Sequence, residues 1–119
     1  MTRTVVFVCE HGALRSRLAA AFFNAVAPVG WRATAAGLDP QDAVSSHAAR
    51  LAEGTDAAAL LDTSAPVAFA GSAAADLVVA IDCDASGADR WTLDATEVDE
   101  RMRDELRDRA RELARSVGR

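Results

Sequence analysis

Near the N-terminus the chain passes from a buried strand through one short loop straight into a helix, and this junction limits the folds open to it. Thr4-Val5-Val6-Phe7-Val8 is a β-branched and aromatic run without polar alternation, the pattern of a strand covered on both faces of a parallel sheet. Beyond the loop Cys9–Ser16, Leu18, Ala21, Phe22, Ala25 and Val26 recur at helical spacing, and Pro28 with Gly30 ends that stripe. A strand feeding a helix across so short a loop is the start of a β-α-β unit.

The alternation continues. Trp31–Ala36, closed by Gly37, reads as a second strand, and Val44, His47, Ala48 and Leu51 follow a helical period that stops at Gly54. Residues 55–75 are Ala-rich without a sharp period and are expected to be irregular or weakly helical. Ala75–Ile81 reads as a third buried strand and Arg90–Leu93 as a short fourth. From Glu97 to Arg119, Val98, Met102, Leu106, Ala110, Leu113 and Val117 form one apolar stripe. The pairs Glu97/Arg101, Asp99/Arg103 and Glu105/Arg109 fall on the exposed side of this long, solvated helix. The 119 residues are enough for a single domain spanning 1–119, an α/β sandwich with helices against a parallel sheet.

Several function classes are excluded. With 13 basic against 18 acidic residues the net charge is −5, which argues against general affinity for nucleic acid or an anionic membrane; every basic residue is Arg, so any anion contact is a guanidinium. No apolar run approaches the roughly 20 residues of a membrane span. The N-terminal residues lack the apolar core and cleavage site of a signal peptide, so a cytoplasmic location is expected. Two cysteines outside any Cys-x-x-Cys pair make neither a disulfide scaffold nor a zinc site.

Chemistry concentrates in Cys9-Glu10-His11-Gly12-Ala13-Leu14-Arg15-Ser16. In open α/β sheets ligands bind beyond the carboxyl ends of the strands, where Cys9 lies. A loop entering a helix turns several N–H groups and the positive end of the helix dipole toward one point, which suits a tetrahedral oxyanion and a thiolate nucleophile at Cys9. Arg15 can fold back and grip two oxygens of that anion with its planar fork. Gly12 supplies freedom for positive φ, and Ser16 can donate to the Cys9 sulfur or cap the helix. Glu10 is expected to point outward, His11 to be a supporting or exposed group, and Arg17 to be a solvated face residue. Trp31 and Trp91 read as packing residues, and His47 as a helix residue without special duty.

The run Val8–Ser16 resembles the Cys-x5-Arg-Ser/Thr signature of the low-molecular-weight protein tyrosine phosphatases and related arsenate reductases. The likeness extends to Thr34-Ala35-Ala36-Gly37 at the second strand, Ala75–Val79 at the third, and Trp91-Thr92-Leu93-Asp94 where the family carries its Asp-Pro loop. It implies a flavodoxin-like three-layer sandwich with a four-stranded parallel sheet and no metal or organic cofactor. Cys9 and Arg15 would be catalytic with Asp94 as general acid, and Glu10, His11, Gly12, Ala13, Leu14 and Ser16 would form the substrate-binding loop. Expected partners are phosphate or arsenate, a phosphorylated protein and a thiol reductant.

This chain departs from the family in having His11-Gly12 for the usual Gly-Asn, Ala95 for the Pro, and no Tyr. His11-Gly12-Ala13 is nearer the His-Asn-Ala of the arsenate-reducing branch. That branch's thioredoxin-coupled members use two further cysteines, of which only Cys83 is present; it ends the third strand and is the candidate resolving thiol, with a small external thiol as the alternative. Three functions are therefore set against one another: a phosphomonoesterase acting through a phosphocysteine, a thiol-coupled arsenate reductase using the same loop, and a catalytically silent oxyanion-binding module.

Overall fold

A computed structural model describes residues 2–71 and 75–119. Four strands, β1 (Arg3–Cys9), β2 (Trp31–Gly37), β3 (Leu77–Ile81) and β4 (Asp89–Trp91), form one all-parallel sheet in the order β2-β1-β3-β4. Three helices, α1 (Arg15–Val26), α2 (Ser46–Ala52) and α3 (Glu100–Val117), follow β1, β2 and β4 respectively, and a loop joins β3 to β4. This is the expected flavodoxin-like α/β architecture. Val5 pairs with Ala33 of β2 and Leu77 of β3, so β1 is central and its neighbours lie on either side. The chain adds β2 on one side of β1 and β3 on the other, and this switch in strand order opens a crevice at the carboxyl end of β1.

The larger core lies on the face covered by α1 and α3, where Phe7, Leu18, Phe22, Phe23, Ile81, Met102 and Leu106 are all almost wholly buried. Phe7 meets Phe23 edge-on at 6.1 Å and tilts against Trp91 at 5.4 Å. Leu51 and Ala52 of α2 join the same cluster. On the opposite face Val8, Val78, Ala80 and Cys83 are covered by Phe69, Ala75, Ala85 and Ala88, so the described part of that layer is loop chain rather than helix. Among the described residues of 55–75, the segment forms a 3-10 turn at Ala58–Leu60 and a single parallel bridge from Ala68 to Gly37; Pro66, Gly71 and Ala without a period fit this irregularity, and residues 72–74 lie outside the described residues.

Boundaries differ from the sequence expectation where side chains replace backbone partners. β3 begins at Leu77 and not at Ala75, because the Asp76 carboxylate accepts the Thr4 N–H at 2.7 Å in place of a ladder bond. β4 covers 89–91 and not 90–93, because the Leu93 N–H donates to Asp82 Oδ1 at 2.9 Å. α3 starts at Glu100 and not at Glu97: Asp99 caps it by accepting the N–H groups of Arg101 and Met102. Glu97 therefore lies outside the helix, and Arg103 pairs with Asp104 instead of Asp99. Helix α1 is buried on every side from Ser16 to Phe23, broader than the single stripe expected, because it is enclosed by the sheet and α3 together. No described helix is long and apolar enough to cross a membrane.

Candidate active site

Cys9 ends β1, 6 % exposed, with its Sγ 3.1 Å from the Oγ of fully buried Ser16. Ser16 is thus spent on the sulfur and not on capping; α1 has no side-chain cap at all. Between them the backbone carbonyls turn outward one after another. Cys9 O accepts from the Leu38 N–H at 3.1 Å, Glu10 O from Asp39 at 2.7 Å, His11 O from Gln41 at 3.2 Å and Ala13 O from Ser45 at 3.0 Å. Gly12 O accepts from Arg17 Nε at 2.9 Å. In a trans peptide the N–H points opposite to the carbonyl, and no peptide here is cis. The N–H groups of Glu10, His11, Gly12, Ala13 and Leu14 are accordingly turned the other way, and they meet no acceptor among the described residues. Such a run of inward amides is an anion-binding concavity.

Two glycines let this loop close. Gly12 has φ +64°, and a Cβ there would lie 2.8 Å from Gly37 N; a Cβ at Gly37 would lie 2.6 Å from Gly12 N. Only two residues without side chains allow the loop to pack directly on the end of β2.

A cavity of about 210 Å³ opens over Cys9, lined by Glu10, His11, Ala13, Leu14, Arg15, Gln41, Ser45, Ile81 and Asp82. It is smaller than the roughly 300–1,000 Å³ of pockets that enclose drug-sized ligands, and suits a small ion or the tip of a side chain. Arg15, the first residue of α1, has an Nε that is buried with no hydrogen-bond acceptor; the nearest carboxylate, Asp82 Oδ2, is 3.8 Å away. A tetrahedral oxyanion bound among the amides can supply that acceptor. Glu10 is exposed, as expected, and exposed His11 has its Nδ1 3.0 Å from Asp39 O, which ties it to the loop after β2.

Asp94 is not brought into this cavity. Its side chain is exposed and lines a separate hollow with Ala95, Thr96, Glu97, Asp99, Arg101 and Glu105. Its N–H and that of Ala95 each donate to Glu105 at 2.9 Å. Burial pushes the Glu105 carboxyl up, but those two amides and Arg109 outweigh it and hold it below the usual carboxylate range. Cys83 packs on the loop-covered face, and its thiol donates to Val8 O at 3.5 Å. Burial, and then the neighbouring Cys9, push its pKa up, so it stays a protonated thiol.

Two sequence readings need correction. Arg17 is 4 % exposed, not solvated, and besides Gly12 it donates to Asp62 O at 2.6 Å. The Glu105/Arg109 pair is not a plain surface pair: Arg109 also donates to Thr92 O at 3.0 Å and stacks over Trp91. Gln41, Ser45 and Asp82 line the cavity without having been singled out. For Asp82 a sequence signal existed, since it directly follows a buried strand at the carboxyl edge; the structure adds that it is the one described non-glycine residue with positive φ, +51°. Trp31 stands at the start of β2, the edge away from Cys9, beneath Arg3, and Trp91 is packed on Phe7; neither lines the cavity.

The cavity thus brings a thiol and a guanidinium together with a run of inward amides at the end of a parallel strand of an α/β sheet. Residues 4–102 match the family described as low molecular weight phosphotyrosine protein phosphatase, and the chain belongs to that family of enzymes. Among solved structures, it is similar to an arsenate reductase from Archaeoglobus fulgidus DSM 4304 (26 % identity, TM-score 0.70, 92 % of this chain and 98 % of that one). It also resembles a low molecular weight protein tyrosine phosphatase from Bacillus subtilis (20 %, TM-score 0.73, 96 % of each). A third likeness is to a thioredoxin-dependent arsenate reductase from Corynebacterium glutamicum (21 %, TM-score 0.73), of which this chain spans 62 % while 98 % of its own length is covered. Among curated protein sequences none matches significantly.

Proposed function

We propose that the chain is a cysteine-dependent phosphomonoesterase. The observation that carries this reading is the buried, acceptor-less Nε–H of Arg15 beside Cys9 and the inward amides. Cys9 thiolate attacks phosphorus in line, forming an S–P bond as the ester oxygen leaves, and Arg15 with the loop amides stabilises the charge on the three equatorial oxygens. Ser16 hydrogen-bonds the sulfur. Asp94 gives its proton to the leaving oxygen and then takes one from the water that hydrolyses the phosphocysteine. Since Asp94 lies outside the Cys9 cavity, this role requires its segment to move toward the cavity when substrate binds. No metal or organic cofactor enters this scheme, because Arg15 and the amides supply the positive charge. A phosphorylated protein is the proposed substrate.

Arsenate reduction is the second reading, favoured by the cavity's lack of any Phe, Tyr or Trp to stack on an aryl ester. Here Cys9 displaces water from arsenate, and two thiols are oxidised to a disulfide as arsenic(V) becomes arsenic(III). The buried, protonated Cys83 favours an external thiol reductant over Cys83 as the resolving group.

The deciding experiment is aryl phosphate turnover against pH for the parent, Cys9→Ser and Asp94→Asn. Turnover at or above about 1 s⁻¹, the low end of ordinary enzyme rates, abolished in the first variant and much reduced in the second, supports the phosphatase. Full activity in Cys9→Ser overturns it. Arsenate-dependent consumption of a thiol or thioredoxin system, with only feeble ester turnover, supports the reductase. Oxyanion binding with neither reaction leaves the loop as a binding module.

A further inference from the structure

Arg17 is the only charged side chain buried in the described residues, and the scheme above gives it no task. Burying a guanidinium is costly unless its donors are satisfied. Its one carboxylate neighbour, Asp62 Oδ1 at 3.7 Å, has a side chain 71 % exposed, so screening leaves that attraction weak. Arg17 is held instead by two backbone carbonyls, Gly12 O at 2.9 Å and Asp62 O at 2.6 Å.

Those bonds matter for a specific peptide unit. Of the five units between Cys9 and Leu14, four have their carbonyls fixed by backbone N–H groups of residues 38–45; only the Gly12 carbonyl depends on a side chain. Gly12, with φ +64° and no Cβ, is also the residue freest to let its peptide flip. A flip would turn the Gly12 oxygen toward the cavity and take the Ala13 N–H away from it, replacing a donor with a repelling carbonyl.

We propose that Arg17 is a positioning residue of the anion loop: by holding the Gly12 carbonyl outward it aims the Ala13 N–H at the bound oxyanion. This rests on the oxyanion reading of the cavity. Arg17 itself touches neither substrate nor Cys9 and acts only through that peptide.

The test is an amide NMR titration with inorganic phosphate, alongside aryl phosphate kinetics, on the parent, Arg17→Met and Arg17→Lys. In the parent, the Ala13 amide shifts together with those of Glu10 to Leu14. In Arg17→Met the Ala13 response is lost and kcat falls by about 10²-fold, the effect of removing one oxyanion donor, with a smaller change in KM. Arg17→Lys, whose ammonium keeps a donor for the Gly12 carbonyl, recovers part of both. A folded Arg17→Met that keeps the Ala13 shift and near-parental kcat overturns the proposal. Should that variant not fold, the parent titration decides: an Ala13 amide that stays still while its neighbours move overturns the role of Arg17 alone. A loop in which no amide moves overturns the oxyanion site itself, and this proposal with it.

Discussion

The Cys9–Ser16 loop is fixed mainly by backbone amides that donate to its carbonyls, whereas the segment from Thr92 to Ala95 is fixed by the charged side chains of Asp82, Glu105 and Arg109. In the first, four of five carbonyls are taken by backbone amides of residues 38–45. In the second, Leu93 N–H goes to Asp82, Asp94 and Ala95 N–H go to Glu105, and Thr92 O is held by Arg109. Neutral backbone clamps do not titrate and tolerate little movement. The Glu105 clamp is conditional on charge, because its carboxylate must stay ionised to accept both amides. A rigid anion cradle beside a releasable acid segment is what the proposed chemistry requires, since only the acid has to travel.

The largest expected effect tests the rigid half. Gly37→Ala puts a Cβ 2.6 Å from both Gly12 N and His11 C, backbone atoms that cannot swing aside. Overpacking of this kind costs about 1–3 kcal/mol, and the loop would have to leave β2 to relieve it. Denaturant midpoints and phosphate titration should both fall. A stable Gly37→Ala with parental phosphate affinity would show that the cradle is softer than its contacts imply.

Glu105→Gln tests the conditional half and should be smaller. One amide keeps an acceptor and the other faces an NH₂ group, a loss of about 1–3 kcal/mol of hydrogen bonding to a charged group. Amide exchange should quicken at Asp94 and Ala95 and stay unchanged from Glu10 to Leu14. If Asp94 is the acid, kcat drops more for esters with poor leaving groups than for nitrophenyl phosphate. Equal drops for both would separate Glu105 from proton transfer.

These two halves were unequally legible in the sequence. The first loop is specified by residues within one short run, so Cys9, Gly12, Arg15 and Ser16 could be named from spacing and chemistry. The four strands and three helices followed from β-branched runs and apolar periods. Glu105 and Arg109 looked like an ordinary i,i+4 surface pair, because their real partners, Thr92, Asp94 and Ala95, come near only after β4 and α3 pack. Arg17 was misread for a related reason: its burial depends on the segment around Asp62, where periodicity was weakest. The start of α3 was missed because Asp99, not Glu97, has the side chain that bonds the first free amides. The chemistry-bearing groups of the first loop sit in one short run that can be read, but the tertiary clamps on either segment leave no period to read.

Acid should separate the two regions, through the sign of the Glu105 shift. Its folded pKa lies below the unfolded value of about 4.3, so its stabilisation is complete above that value and is lost as pH falls through the depressed folded one. Asp94 and Ala95 should therefore lose amide protection at a higher pH than the sheet, while the amides of Leu38, Asp39, Gln41 and Ser45, which donate to the carbonyls of the Cys9 loop, keep theirs. Simultaneous loss everywhere would mean that the acid segment has no independent equilibrium.

The smallest effect is expected at the point where the two regions touch. Asp82 offers Oδ1 to Leu93 N–H and Oδ2 to Arg15 Nε at 3.8 Å, beyond hydrogen-bonding distance. Asp82→Asn keeps the Leu93 bond and tolerates positive φ nearly as well, so it removes only the charge facing Arg15. Both side chains are about one-third exposed, and a pair of that kind contributes at most about 1 kcal/mol. Stability should hardly change. Anion binding should tighten slightly, by about twofold to fivefold, because a negative charge lining an anion cavity opposes its ligand and competes for Arg15. Phosphate inhibition constants decide the matter. Weaker inhibition in Asp82→Asn would mean that orienting Arg15 outweighs repelling the anion, and would make Asp82 a working part of the cradle and not merely its wall.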